Sequence, residues 1–171
     1  QQIRVHPPVV RLPLPEVSLP SQERTVLYVG QLIKGKGVDL LLRAMARVTG
    51  AWRLIIIGEG NARQELEQLS RDLGLDGGVT FTGWMPGEEV EVWYQKARMT
   101  AEPSRWPEPF GMVGLEAMTY GRPVVAFGVG GIPDWLADGQ TGILVREQDI
   151  HGLASAVQTL LDDHDLACRM G

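Results

Sequence analysis

The sequence has one cysteine, three lysines and no long apolar run among its 171 residues. A single cysteine excludes an internal disulfide framework, so Cys168 is interpreted as a structural or exposed thiol. No stretch approaches the ~18 apolar residues of a membrane span. The net charge of −5 argues against a groove for nucleic acid. A phosphate ligand would therefore depend on a few local cations and on backbone amides.

Residues 1–24 contain five prolines and are predicted to form an extended arm or an interdomain linker. They lack the apolar region of a signal peptide. Because the chain begins at Gln1 rather than at methionine, we expect it to be a fragment. From Thr25 onward the pattern changes to that of a globular domain, predicted to span residues 25–171.

Short apolar runs alternate six times with segments of helical periodicity. This alternation predicts an α/β domain of Rossmann-like type, a three-layer sandwich with a six-stranded, mostly parallel sheet. Ligands bind such sheets at the carboxyl ends of the strands, where the strand order reverses. For the common order 3-2-1-4-5-6, the loops after strands one and four would meet there. The predicted strands are 26–29, 53–58, 79–82, 98–102, 123–127 and 142–145. The predicted helices are 38–49, 62–73, 87–97, 112–120, 132–137 and a last helix that Asp149 caps and that runs to residue 161.

The most informative motif is a pair of glutamates, Glu108 and Glu116, with a helix start between them. Pro107 and Pro109 prevent a helix around the first glutamate, so Glu108 should lie in a rigid loop and Glu116 about one turn inside the helix. Gly111 would let the backbone approach a ligand, and the N–H groups of a helix start attract phosphates. This arrangement suits a nucleotide sugar, which has hydroxyls at both ends and phosphates in the middle.

Two other interpretations of the glutamates remain open from the sequence. They are compatible with the carboxylate pair of a glycoside hydrolase, or with two solvated surface acids. Glu116, however, lies between Leu115 and Ala117 in an apolar helix. Burying a lone carboxylate is costly, so we expect it to be paired or ligand-bound.

The loop at residues 30–37 is rich in glycine and carries Lys34 and Lys36. We predict that Lys36 reaches a diphosphate across the crevice as a point charge. The loop is not a Walker motif, because the Gly-x-x-x-x-Gly-Lys-Ser/Thr spacing is absent. The alternative is an ordinary turn with solvated lysines.

Other glycine-rich turns give weaker signals. The run 58–60 has two of the glycines of a dinucleotide fingerprint, but Arg63 replaces the third, which favours a tight turn and disfavours an NAD-dependent dehydrogenase. The turn at 128–131 is either a loop near a donor sugar or only a turn. Trp84 is a candidate neighbour of a nucleobase. No two histidines have metal-ligand spacing, so no metal site is expected.

Together these residues resemble the C-terminal, donor-binding domain of GT-B glycosyltransferases, most closely glycosyltransferase family 4 (glycosyl transferases group 1). The resemblance runs from about Thr25 to the end of the chain. Its ordered landmarks are the segments 29–37, 58–60, 81–83, 103–104, 108–111, 115–118, 121–124, 130–131 and 138–142.

The resemblance implies a role for each matched position. Glu108 would be the catalytic residue, in contact with donor-sugar hydroxyls near the anomeric centre. Glu116 would bind the ribose hydroxyls, Lys36 the phosphates, and the backbone around Trp84 the base. The amides of residues 111–113 would bind the distal phosphate. The implied donor-binding set is Gln31, Lys36, Gly58, Trp84, Glu108, Phe110, Gly111, Met112, Val113 and Glu116.

The resemblance also implies an activity. A cytoplasmic, retaining enzyme would transfer a hexose from a nucleotide sugar, for example a UDP- or GDP-sugar, to an unknown acceptor without metal or cofactor. The acceptor-binding N-terminal domain is absent, so the isolated chain should bind the donor weakly and transfer little sugar. Any peripheral membrane association is expected only through the missing half. A non-catalytic nucleotide-sugar-binding module is the alternative.

One departure from the family pattern affects the predicted phosphate site. The family usually has arginine at the position of Gln31, which keeps hydrogen bonding but loses a charge. The sequence leaves two consequences open: weaker donor binding, or compensation by Lys34 or Arg105.

Overall fold

The computed structural model describes residues 17–171. They form twelve helices and strands and two 3-10 turns, Lys34–Lys36 and Ile132–Asp134. In chain order the elements are β1 (Thr25–Val29), α1 (Val38–Met45), β2 (Arg53–Ile57), α2 (Arg63–Asp72), β3 (Val79–Gly83), α3 (Gly87–Lys96), β4 (Met99–Glu102), α4 (Met112–Thr119), β5 (Val124–Phe127), β6 (Gly142–Val145), α5 (Ile150–Asp162) and α6 (His164–Met170).

The six strands form one sheet in the order β3-β2-β1-β4-β5-β6, with all neighbouring pairs parallel. The predicted α/β class and strand order are therefore confirmed. Apolar side chains fill both faces of the sheet, as parallel strands require. Helix α1 packs against α2 and α5 on one face. Right-handed crossovers place α3 and α4 on the other face, where Tyr94 stacks on Tyr120 with ring centroids 5.1 Å apart.

Several boundaries differ from the sequence prediction. The predicted helix at 132–137 is a single 3-10 turn, because Trp135 leaves helical geometry at φ −125°. Asp149 caps α5 as predicted, accepting from the Gly152 N–H at 2.9 Å. Helix α6 was not predicted; Asp163 ends α5 and accepts from the Leu166 N–H at 2.8 Å, which starts a new helix at once.

No helix in residues 17–171 has both the length and the apolar content to cross a bilayer.

The described end of the predicted linker lies against the domain. The buried guanidinium of Arg122 donates to the carbonyls of Ser18 and Leu19. Arg98, also buried, donates to the carbonyls of Ser21 and Gln22. Residues 1–16 of the predicted linker lie outside the described residues, so the linker boundary stays a prediction.

Candidate functional site

The loops after β1 and β4 are joined at the carboxyl edge of the sheet, as the strand order predicts. The N–H groups of Arg105 and Trp106 both donate to the Gly35 carbonyl, at 2.9 and 3.1 Å. Gly37 has φ +68°, and a Cβ there would collide with the Pro103 carbonyl. Only glycine combines this backbone geometry with so close an approach. The two loops therefore form one rigid unit.

Glu108 is the centre of a polar cluster between these loops. Its Oε1 lies 2.5 Å from Lys36 Nζ and accepts from the Ser104 hydroxyl at 2.7 Å. Its carbonyl accepts from the Gly131 N–H at 2.8 Å. The Glu108 side chain is only 13% exposed. The turn at 128–131 thus supports the backbone of Glu108, and both of its sequence interpretations stay predictions.

The start of α4 presents backbone donors beside this cluster. Gly111, at φ +76°, precedes the helix, and no side chain of the described residues caps it. The first turn also lacks an acidic residue. Trp135 Nε1 donates to the Phe110 carbonyl, which fixes the chain as it enters the helix. The amides of Met112 and Val113 therefore remain available for an anion, and the helix dipole favours one.

Glu116 lies one turn along α4, half-buried beside Tyr94. The Tyr94 hydroxyl lies 3.4 Å from Glu116 Oε2. Burial raises the pKa of Glu116, and the hydrogen bond from Tyr94 partly opposes that rise. The expected pairing of Glu116 is thus limited to a long contact with a neutral hydroxyl.

Three adjoining cavities follow the carboxyl end of β1, with volumes of about 370, 370 and 220 Å³. Gln31 lines the first and second, and Val29 lines the second and third, so neighbouring cavities share lining residues; the three together are called the trough below. The first contains Lys36, Trp106 and Glu108; the second Gly58, Trp84 and Met85; the third Tyr94, Glu116 and Tyr120.

The ten predicted donor-binding residues come together at this edge. Six of them line the trough: Gln31, Lys36, Gly58, Trp84, Glu108 and Glu116. The other four, Phe110, Gly111, Met112 and Val113, form the turn into α4 between Glu108 and Glu116. Their roles in binding a donor stay predictions. Among residues 17–171 no group of three histidines, cysteines or carboxylates is placed to hold a metal ion.

Arg105 and the turn at 58–60 have structural partners near the loop after β1. Arg105 is ion-paired with Asp39, so its charge is already engaged and compensation for Gln31 by Arg105 loses support, whereas compensation by Lys34 stays a prediction. The turn at 58–60 supports the loop after β1, where the Leu32 N–H donates to the Glu59 carbonyl at 2.8 Å. This agrees with the tight-turn interpretation of that glycine pair.

Sequence reasoning missed Glu102, the last residue of β4. Its Oε2 is shielded from solvent and has no hydrogen-bond partner among the described residues. Burial raises the pKa of Glu102 to about 8; the charges of Glu108 and Glu116 add to the rise, and Lys36 and the Gly114 amide oppose it. A carboxylate that ends a buried strand was the available signal, but the prediction of β4 rested on the alternation pattern rather than on its residues.

Comparison with known proteins identifies the family. The model of the family described as "Glycosyl transferases group 1" matches residues 14–171. This chain is a member of the group 1 glycosyltransferases. It is 36% identical over 165 residues to a D-inositol 3-phosphate glycosyltransferase of Corynebacterium aurimucosum, covering 91% of this chain and 39% of that protein. It is 40% identical over 148 residues to an alpha-D-kanosaminyltransferase of Streptomyces kanamyceticus, covering 85% of this chain and 38% of that protein.

Solved structures agree on the fold. HepE from Anabaena, in complex with UDP and glucose, superposes with a TM-score of 0.82 at 28% identity, over 87% of this chain and 41% of the HepE chain. The fold is therefore that of GT-B glycosyltransferases, of which this group 1 domain is one α/β unit. The chain spans about two fifths of the length of these relatives.

Proposed function

We propose that this group 1 domain is the donor-binding half of a retaining, metal-independent glycosyltransferase that transfers a hexose from a nucleotide sugar. The observation that carries the proposal is the trough, in which one cavity is lined by Lys36 and Glu108 and another by Glu116. The uncapped start of α4 lies between the two glutamates along the chain. Glu108 suits the sugar hydroxyls, Lys36 and the bare amides suit the diphosphate, and Glu116 suits the ribose.

Glu108 holds the sugar end in this proposal. In the unliganded protein Lys36 neutralises Glu108 at 2.5 Å. An arriving diphosphate would draw the ammonium group from the carboxylate to the phosphates, because a charge-assisted hydrogen bond to a dianion is strong. Glu108, still held by Ser104 at 2.7 Å, would then be free to accept from donor-sugar hydroxyls.

The leaving diphosphate is stabilised by fixed donors. When the bond between the sugar C1 and the phosphate oxygen breaks, negative charge grows on the phosphate. The amides of Met112 and Val113, the dipole of α4 and Lys36 are the groups suited to stabilise that charge, and they need no reorganisation to do so. A nucleobase would lie in the second cavity beside Trp84, whose side chain is 73% exposed.

UDP is the nucleotide favoured for the first test, because HepE holds UDP. Calorimetric titration of this chain with UDP, GDP and ADP should give measurable binding of at least one of them, with UDP the tightest. No heat with any of the three up to millimolar concentration would contradict the proposal. The isolated chain should transfer little sugar, since GT-B chemistry takes place between two domains.

A non-catalytic binding module is the second candidate, favoured by Gln31 in the place of the usual arginine. The full-length protein distinguishes the two. Transfer that Glu108→Ala abolishes while nucleotide binding weakens only modestly indicates the enzyme, whereas no transfer by the wild type indicates the module. Activity in EDTA and the anomeric configuration of the product, read by NMR, would test metal independence and retention. We expect the full-length protein in the cytoplasm.

A further inference from the structure

Glu102 is a partly buried ionisable group, with its Oε2 shielded from solvent, to which the proposed function gives no role. It ends β4, in register with Ala126 of β5, and lies beneath the first turn of α4. Its Oε2 would lie 3.2 Å from a Cβ on Gly111 and 3.0 Å from a Cβ on Gly114. The carboxyl therefore packs directly against the turn whose amides are available to an anion.

No cation is paired with this carboxyl within the described chain. Lys36, the nearest source of positive charge, is bound to Glu108 instead. Burial has the largest effect on the pKa of Glu102 and raises it to about 8. At neutral pH the group therefore holds its proton, and a neutral carboxyl can remain at a buried position without a partner charge.

The other ionisable groups that face Glu102 come from β1, α3 and α4 and from the loops that follow β1 and β4. Glu108 and Glu116, from the loop before α4 and from α4 itself, raise its pKa, and Lys36 lowers it. Tyr28 of β1 and Tyr94 of α3 also face it, and burial raises the pKa of both phenols far above the physiological range. Between pH 7 and 9 the two tyrosines thus stay neutral.

We propose that Glu102 is a positioning residue that must be protonated for the start of α4 to bind a diphosphate. Ionised, it would put a negative charge beneath the amides of Met112 and Val113 and would draw the Gly114 amide and Lys36 toward itself. Neutral, it leaves the helix dipole and the lysine to the ligand. The inference rests on the proposed function and adds a proton-linked control of donor affinity.

The link between protonation of Glu102 and ligand binding predicts how much the apparent Kd changes with pH. With a pKa of about 8, only about one molecule in eleven keeps the proton at pH 9, compared with about ten in eleven at pH 7. If only the neutral form binds, the apparent Kd for a diphosphate should rise about tenfold from pH 7 to 9. The ligand phosphates, with a second pKa near 6, change charge only slightly over this range.

The test is calorimetric titration of this chain with UDP at pH 7, 8 and 9. The wild type should lose about tenfold in affinity, whereas Glu102→Gln and Glu102→Leu should show little change. Glu23→Gln is the matched control, since Glu23 is exposed and precedes β1 at the opposite edge of the sheet. It should follow the wild type.

Two results would overturn the inference while leaving the proposed function intact: binding by the wild type that does not change with pH, or an equal loss in the wild type and in both Glu102 variants. Absence of UDP, GDP and ADP binding at every pH would overturn both; if GDP or ADP binds where UDP does not, that nucleotide replaces UDP in the titration. A carbon-13 NMR titration of the Glu102 carboxyl gives an independent measurement. A midpoint near 8 supports the inference, and an ordinary midpoint near 4.5 overturns it.

Discussion

Two ionisable groups flank β4, and their surroundings differ sharply: Arg98, just before the strand, is buried, and Glu102, at its end, is partly buried. Arg98 donates to four backbone carbonyls. Arg122, before β5 at the same edge, donates to four carbonyls and to the Ser18 hydroxyl. Glu102 leaves one oxygen without a partner in the described part of the chain.

The difference separates an edge of the sheet whose buried groups are satisfied within the chain from the edge that carries the proposed donor site. At the amino edge, carbonyl oxygens of the chain itself satisfy the buried guanidinium groups and fix the segment before β1 against the domain. At the carboxyl edge, Lys36 pairs with Glu108 only, the first amides of α4 have no side-chain cap, and one oxygen of Glu102 has no hydrogen-bond partner among the described residues. Native structures rarely leave buried polar groups unpaired without a reason, and the nucleotide sugar of the proposed function would supply that reason.

The largest effect is expected at the amino edge. Arg122→Met should lower the free energy of unfolding by about 3–5 kcal/mol, because it leaves buried carbonyls without donors. Denaturant titration measures the loss. Arg146→Met, at an exposed position, is the control and should change stability by less than about 0.5 kcal/mol. Equal stability of the two variants would contradict the claim that the buried arginines at the amino edge stabilise the fold.

The second effect is expected on ligand binding at the carboxyl edge. Lys36→Met should weaken UDP binding about 10–100-fold, because it removes a charge-assisted hydrogen bond of about 1.5–3 kcal/mol. Lys96→Met is the matched control, since Lys96 lies over the Trp93 ring at 5.6 Å on α3. Calorimetry should find UDP affinity unchanged in the control. A similar loss in both variants would mean that charge in general, rather than the trough, governs binding.

The third effect concerns stability as a function of pH. The pKa of Glu102 is about 8 in the folded protein against 4.5 normally, so between these values the folded state holds a proton that the unfolded chain releases. Its contribution to the free energy of unfolding therefore falls as the pH rises through this window. Glu102→Gln should be more stable than the wild type at pH 8, by on the order of 1–3 kcal/mol.

Thermal unfolding at pH 5 and pH 8 checks this sign. The advantage of the glutamine variant should be small at pH 5 and larger at pH 8. A variant less stable than the wild type at pH 8 would show that the ionised carboxylate stabilises the fold, contrary to the comparison.

The smallest effect is expected at Glu116. Glu116→Gln keeps the shape of the side chain but replaces an acceptor-only group, so UDP affinity should fall about 3–10-fold, the value of one or two hydrogen bonds to ribose. Affinity for inorganic pyrophosphate should not change, since pyrophosphate has no ribose. Equal losses for both ligands would place Glu116 at the phosphates instead.

Most of the fold followed from the sequence because strand and helix periods are local signals. The alternation of apolar runs with helical segments predicted all six strands, and the strand order brought the loops after β1 and β4 together. Helix α6 was missed because its start depends on Asp163 ending one helix and capping the next. Because the second helix starts immediately after the first, the helical spacing of apolar residues continues across Asp163 almost without interruption.

Site residues could be predicted where residue type and sequence position together fix their place in a loop or helix. They could not be predicted where their properties depend on burial in the folded protein. Glu108, Gly111 and Glu116 were found because proline, glycine and helix spacing fix their places. The ion pair of Lys36 with Glu108 joins residues 72 positions apart, so no local pattern contains it. The raised pKa of Glu102 arises from the packing of α4 over β4, which the sequence does not encode locally.

The most direct test of the central claim is an amide NMR titration of this chain with UDP. The account predicts that the largest chemical-shift changes fall on the N–H groups of Met112, Val113 and Gly114, together with a change at the Lys36 ammonium as it leaves Glu108. Saturable changes confined to other regions, for example the opposite edge around Arg24 and Trp52, would contradict it.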